Sequence, residues 1–79
     1  MRILSIPPGI EKIILSAAEN RKQITAYLVK ASECDDSSAI YLKKGNYEKA
    51  AEYAILAQEY VRLASDVKIE DIKLHAMYN

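Results

Sequence analysis

The 79-residue chain has no phenylalanine or tryptophan, one cysteine, one histidine, two glycines and two prolines. Each scarcity excludes something. A single cysteine, Cys34, cannot close an internal disulfide. With Asp35 and Asp36 beside it, it reads as a small reduced core residue rather than a bridge to another chain. A single histidine, His75 near the end of the sequence, leaves little from which to build a Ser–His or Cys–His nucleophile. Two separated glycines cannot form a phosphate-cradling loop. Charge of one sign is also missing: 11 basic residues balance 11 acidic ones. A protein whose main work is holding a phosphate backbone needs an excess of Lys and Arg, so nucleic acid is not the expected partner. No apolar run approaches the length of a membrane span. The opening Met1-Arg2-Ile3-Leu4-Ser5-Ile6-Pro7-Pro8 is cut short by its prolines and lacks a signal peptide's long apolar region and small-residue cleavage site. A cytoplasmic location is expected.

What remains is helix-forming. Hydrophobic residues make up 51% of the chain, carried by Ile, Leu, Ala and Tyr. Pro7, Pro8 and Gly9 stand together, and Gly45 is the only later breaker. Long breaker-free stretches of this composition favour helix. In the first, Ile10, Ile13, Ile14, Ala17, Ile24, Tyr27, Leu28, Ala31, Cys34, Ser38, Tyr41 and Leu42 recur at spacings of three and four, one apolar stripe. Pro8 suits the first helical turn. Glu11 at the start and Lys43-Lys44 at the end suit the helix dipole. Cys34-Asp35-Asp36-Ser37-Ser38 is the weak point, because these residues favour caps over helix interiors. Two outcomes are open there: a continuous or kinked helix, or a break with Asp35 or Asp36 capping a new one.

Gly45-Asn46 is the clearest local signal. Gly45 can take the left-handed conformation that closes a helix, and Asn46 can cap the next, with Glu48 in its first turn. The second stretch carries Tyr47, Ala50, Ala51, Ala54, Ala57, Val61 and Ala64 on one stripe, widened by Ile55, Leu56, Tyr60, Leu63 and Val67. An alanine face lets another helix approach closely. Asp66 could cap a separate last helix holding Ile69, Ile72, Leu74, Ala76 and Met77, or the helix could continue.

The expected fold is one all-α domain over residues 1–79, an antiparallel hairpin of two long helices, possible breaks making three. The second helix is apolar over more width than one partner helix covers. A second copy, giving a four-helix bundle, is the simplest cover. The competing cover is a terminal segment folding back as a third helix, with Ile3, Leu4 and Ile6 across a bundle end.

Sites of chemistry are sparse. Asp71 and His75 share a helical face, but two ligands fall short of a zinc site. Glu33, Cys34, Asp35 and Asp36 read as a solvated face or cap. Glu48, Glu52 and Glu59 lack the Glu-x-x-His partner of helical di-metal proteins. No catalytic residue, metal or cofactor is expected. Lys43, Lys44 and Lys49, with Tyr41 and Tyr47 nearby, form a basic tip, explained by the helix dipole or by contact with an acidic partner. Arg21-Lys22 and Arg62 are expected near mid-bundle, with long stems over apolar surface. Tyr53 and Tyr60, seven residues apart, suit either an interface anchor or the edge of a core.

The run from Ala39 to Ala54 holds the pattern Leu-x-x-Gly-[Asn/Asp]-Tyr-x-x-Ala, here Leu42, Gly45, Asn46, Tyr47 and Ala50. Over residues 31–65 it resembles the hairpin of a small archaeal domain family of unknown function, and the hairpins of tetratricopeptide repeats, MIT domains and HEPN domains. The pattern mostly encodes a tight turn: Gly45 reverses, Tyr47 packs on the turn, and Ala50 and Ala54 allow close approach. A tetratricopeptide likeness implies peptide binding by arrays, and no 34-residue echo is present. A HEPN likeness implies a nuclease with Arg-x4-6-His, which Arg62 and His75 do not satisfy. An MIT likeness implies a three-helix module for helical tails. The Ile, Lys and Tyr content is compatible with an archaeal or archaeal-virus source.

The reading favoured is a non-enzymatic adaptor that self-associates, most simply as a homodimer. Ile14, Ile24, Leu28, Leu42, Ala50, Ala54, Ala57, Val61 and Leu63 are its expected core or interface residues. Gly45, Asn46 and Tyr47 form its turn. The alternatives are a small nucleic-acid-associated protein using the Lys43, Lys44 and Lys49 tip, and a HEPN-like, antitoxin-type partner without nuclease activity.

Overall fold

The structure, a computed structural model, describes residues 8–76. Two helices account for the fold: α1, Pro8–Lys43, and α2, Tyr47–Ala76. They pack against each other as an antiparallel hairpin whose longest dimension is 60 Å.

Both open points inside the helices resolve toward continuity. α1 runs through Cys34–Ser38 without interruption, so the alternative of a second cap at Asp35 or Asp36 does not occur. The reason is how these residues sort. Cys34 packs inward in a cluster with Ala31 and Ala57. Ser38 donates its hydroxyl to the Ala50 carbonyl across the interface, 2.6 Å away, while Asp35 and Asp36 face water. α2 likewise runs through Asp66. That carboxylate accepts from Arg62 at 3.4 Å and caps no new helix. Among the described residues there is no third helix. Ile3, Leu4, Ile6 and Met77 lie outside them.

The reversal is compact. Gly45 has φ +78°, a left-handed value that only glycine adopts without strain. The Asn46 N–H donates to Tyr41 O at 2.9 Å and the Gly45 N–H to Leu42 O at 3.0 Å, the paired bonds that satisfy carbonyls at a helix C-terminus. Asn46 then serves the next helix. Its side-chain oxygen accepts the Lys49 N–H at 3.2 Å, as an N-cap does. Tyr47 does not pack on this turn: it is 70% exposed.

The seam between the helices follows a seven-residue repeat. On α1 one row is Ala17, Ile24, Ala31 and Ser38, and the adjacent row Asn20, Tyr27, Cys34 and Tyr41. On α2 the rows are Ala50, Ala57, Ala64 and Asp71, then Tyr53, Tyr60, Val67 and Leu74. All of these are buried or half-buried. Rows three and four residues apart repeating every seven are the a and d positions of a coiled coil.

The fully shielded core is small. Among the described residues only Ala17, Ala31, Cys34, Ala50, Ala57 and Ala64 are buried, and no bulky side chain is completely enclosed. The chain exposes 6286 Å², against about 4,800 Å² for a compact monomer of this mass. Its radius of gyration is 18.3 Å, where a globular chain of this length has about 12 Å.

Candidate interaction surface

Two side-by-side helices have two broad faces, and the contacts across the seam show what occupies each. On one face the tyrosine rows meet. Tyr41 stacks on Tyr53 with ring centroids 5.6 Å apart, and Tyr27 lies against Tyr60 at 6.3 Å. On the other face the alanine rows meet, with Ala31 beside Ala57 and Ser38 bonded to Ala50.

The residue four after each member of an alanine row is rotated by only about 40° and flanks that face. On α1 these flanking residues are Arg21, Leu28, Asp35 and Leu42, preceded by Ile14. On α2 they are Ala54, Val61 and Lys68, preceded by Tyr47. The result is a floor of mostly small side chains between two flanking rows in which aliphatic residues alternate with Arg21, Asp35 and Lys68. Ile14, Leu28, Leu42 and Val61 are 51%, 47%, 56% and 47% exposed. Ile72 extends the wall near the end of α2.

The nine expected core or interface residues therefore divide. Ala50 and Ala57 are buried in the seam, while Ile24, Ala54 and Leu63 are half-buried. Leu63 follows Tyr60 by three and belongs to the tyrosine side. Ile14, Leu28, Leu42 and Val61 stand on the alanine side with roughly half their surface in water.

Charge is also distributed unevenly. On the outer flank of the tyrosine side, Arg62 donates to Glu59 at 2.7 Å and lies 3.4 Å from Asp66. The Arg62 hydrogen bond and charge hold the Glu59 carboxyl below its ordinary range, and Glu59 in turn raises the Arg62 guanidinium. Lys73 reaches Glu70 at 3.8 Å. Four charged residues belong to the alanine face among the described residues: Arg21, Asp35, Lys68 and Asp71. Asp71 is half-buried and accepts from Asn20 Nδ2 at 3.4 Å. Arg21, Asp35 and Lys68 are exposed, and none of the three appears in an ion pair within the described residues.

The remaining candidates do not converge into chemistry. Cys34 turns into the seam while Glu33, Asp35 and Asp36 face outward. Glu48, Glu52 and Glu59 are exposed along α2. Among the described residues no three His, Cys, Asp or Glu side chains approach one another as metal ligands would, and no helix is long and apolar enough to cross a membrane. The His75 side chain lies outside the described residues. At the tip, Lys44 and Lys49 hold their ammonium groups 5.7 and 5.3 Å from the Tyr41 ring centroid, and Lys43 is exposed in the last turn of α1. The hollow lined by Ala18, Arg21, Lys22 and Thr25 is open and, among the described residues, draws on α1 alone.

The sequence reading missed Arg21, Asp35 and Lys68 as members of a shared face. The signal was present: Ile14, Arg21, Leu28, Asp35 and Leu42 recur every seven residues. No protein-family profile matches the chain, and no curated protein or solved structure is significantly similar to it.

Proposed function

We propose that the chain is a non-enzymatic helical interaction module that pairs with a second copy, through its alanine face, into a four-helix bundle. One observation carries this reading: the aliphatic walls Ile14, Leu28, Leu42 and Val61 stand half-exposed around an alanine floor, on a hairpin whose own core encloses no bulky side chain. Two helices about 10 Å wide, in register over about 45 Å, present roughly 900 Å². A standard interface uses about 800 Å² per partner. Clustered, half-exposed aliphatic side chains on a face of this size are what an interaction site presents. Alanines in the floor let a second layer of helices approach closely, and the walls interdigitate with those of the other copy.

Sedimentation equilibrium of the full chain tests this. The expected result is a dimer at micromolar concentration. Val61→Glu places a charge in the wall without entering the seam, and is expected to weaken association at least 100-fold while circular dichroism still reports a helical chain. A native chain that sediments as a monomer at all concentrations overturns the proposal.

A further inference from the structure

Resting on that reading, we infer that the two copies pair head to tail, with the hairpin tips at opposite ends of the bundle and Asp35 of each copy facing Arg21 of the other. The wall of α1 reads Ile14, Arg21, Leu28, Asp35, Leu42 at seven-residue intervals. About Leu28 its aliphatic positions are symmetric and its charges antisymmetric: aliphatic at both outer positions, basic on one side, acidic on the other. An antisymmetric charge pattern is self-complementary only when one copy is reversed.

Two ways of stacking the alanine faces have two-fold symmetry, and they place the walls differently. When the two-fold axis runs across the hairpin, α1 lies on α1 of the second copy, reversed. With the axis at the level of Leu28, the register that joins the opposite charges, Leu28 meets Leu28, Ile14 meets Leu42, and each Asp35 meets an Arg21. On α2, Val61 meets Val61, and Lys68 faces Ala54, diagonal to Asp35. When the axis instead runs along the hairpin, α1 lies on α2 of the second copy. The antiparallel register puts Leu28 level with Val61 and Arg21 level with Lys68. Each Arg21 then faces a Lys68, twice per dimer, and Asp35 faces the uncharged Ala54.

The side chains that decide between the arrangements are the exposed charges of this face, Arg21, Asp35 and Lys68, which form no ion pair among the described residues. The fourth, Asp71, accepts from Asn20 and faces small seam residues in either stacking. Charge patterns of this kind fix orientation and register more than they add affinity. The head-to-tail arrangement joins opposite charges, and the other juxtaposes like ones.

Two readouts on the full-length dimer test the orientation. The first uses Cys34→Ala with Lys43→Cys, which carries a spin label on the outer surface near the tip, away from the paired face. Lys43 is fifteen residues from Leu28, so head-to-tail pairing separates the two labels by about 45 Å along the axis, from the helical rise. Tips at the same end bring them within about 25 Å, a few interhelical spacings. The second readout is the sign of one substitution. Head to tail, Arg21→Asp faces Asp35 and weakens dimerisation about 10-fold, and adding Asp35→Arg restores it to within about 3-fold. With tips together, Arg21→Asp faces Lys68 and strengthens dimerisation. Circular dichroism confirms that each surface variant remains helical. A label distance near 45 Å with weakening and rescue supports the inference. A short distance, or tighter binding by Arg21→Asp, overturns the orientation and leaves self-association standing. A chain that never dimerises overturns both.

Discussion

The two broad faces of the hairpin are built from the same seven-residue repeat, yet one is closed and the other is open. On the closed side, tyrosines reach across the seam and cover it with their own rings, Tyr41 on Tyr53 and Tyr27 against Tyr60. Its α1 flank carries Gln23, Lys30, Ser37 and Lys44, its exposed aliphatic residues are Ile40 and Leu56, and its outer charges satisfy one another at Arg62, Glu59 and Asp66. On the open side, alanines fill the seam and stop there. They let the helices approach but leave nothing above the floor. The difference shows that a small-residue seam settles how close two helices lie without settling what covers them. Large side chains beside the seam do that, and here they cover the tyrosine side more fully than the alanine side.

The largest effect comes from the seam that both faces share. Ala57 is buried against Ala31 and Cys34, so Ala57→Glu inserts a long, charged side chain where there is room for a methyl group. A buried, unpaired charge costs about 3–5 kcal/mol, and a small domain has little margin above that. Ala57→Glu is expected to abolish helical signal and assembly together. Val61→Glu is expected to abolish assembly alone. If both unfold the chain, the wall and the seam are one core, and the distinction between a closed hairpin and an open face disappears.

A second expected contrast lies between the faces. Tyr53→Ala removes half of the stacked pair on the closed side. Aromatic pairs contribute about 0.5–1.5 kcal/mol beyond their area, and the tyrosine is only half-buried, so a destabilisation of about 2 kcal/mol is expected in thermal or urea unfolding. At saturating concentration the dimer mass is expected to stay unchanged. Loss of the dimer in Tyr53→Ala, with the hairpin still helical, would move the interface to the tyrosine side.

How much of this was legible follows from the length scale of each signal. The reversal was legible because Gly45-Asn46 combines a helix terminator with a helix cap in adjacent residues, and the conformation is decided locally. Continuity through Cys34–Ser38 was not, because propensity argues against it. What overrides propensity is the long-range contact of Ser38 with Ala50 and the burial of Cys34, and neither is visible without the partner helix. The division into faces was the hardest part. Leu28 and Tyr27, or Val61 and Tyr60, lie on a single apolar stripe when a helix is read by itself. Such neighbours differ by about 100° of rotation, within the width of an amphipathic stripe, and only a neighbouring helix separates what lies in the seam from what stands beside it. The likeness to other hairpins rested on residues of the turn, and there Tyr47, expected to pack, is exposed.

Gly45→Ala acts on the hairpin without favouring either face. Nothing lies within 4 Å of the position its Cβ would occupy, so the cost is conformational alone. A left-handed non-glycine residue costs about 1–2 kcal/mol, and a drop in Tm of about 5 °C is expected for a domain of this size. Because crowding is absent, Gly45→Asn is expected to recover part of the loss. A larger drop than that of Tyr53→Ala would make the turn, rather than the tyrosine cover, the main determinant of the hairpin.

The smallest expected effect separates the charges of the two sides. On the closed side Glu59 is held below the ordinary carboxylate range by the hydrogen bond from Arg62 and by its charge. A carboxylate depressed in the folded state contributes stability that is fully present above its unfolded value and is lost as the pH falls through the folded one. The loss therefore falls in the acid range, at and below that of a free glutamate. It is small because both side chains are more than half exposed and screened by solvent. A carboxyl NMR titration is expected to place the Glu59 midpoint below that of a free glutamate and to return it upward in Arg62→Ala. Arg62→Ala is expected to leave the dimer mass at neutral pH unchanged, since its partners lie in its own helix and on the far flank from the alanine floor. If Arg62→Ala disperses the dimer as strongly as Arg21→Asp, assembly draws on charges already paired within the chain. Arg21, Asp35 and Lys68 would then lose their claim to set the orientation.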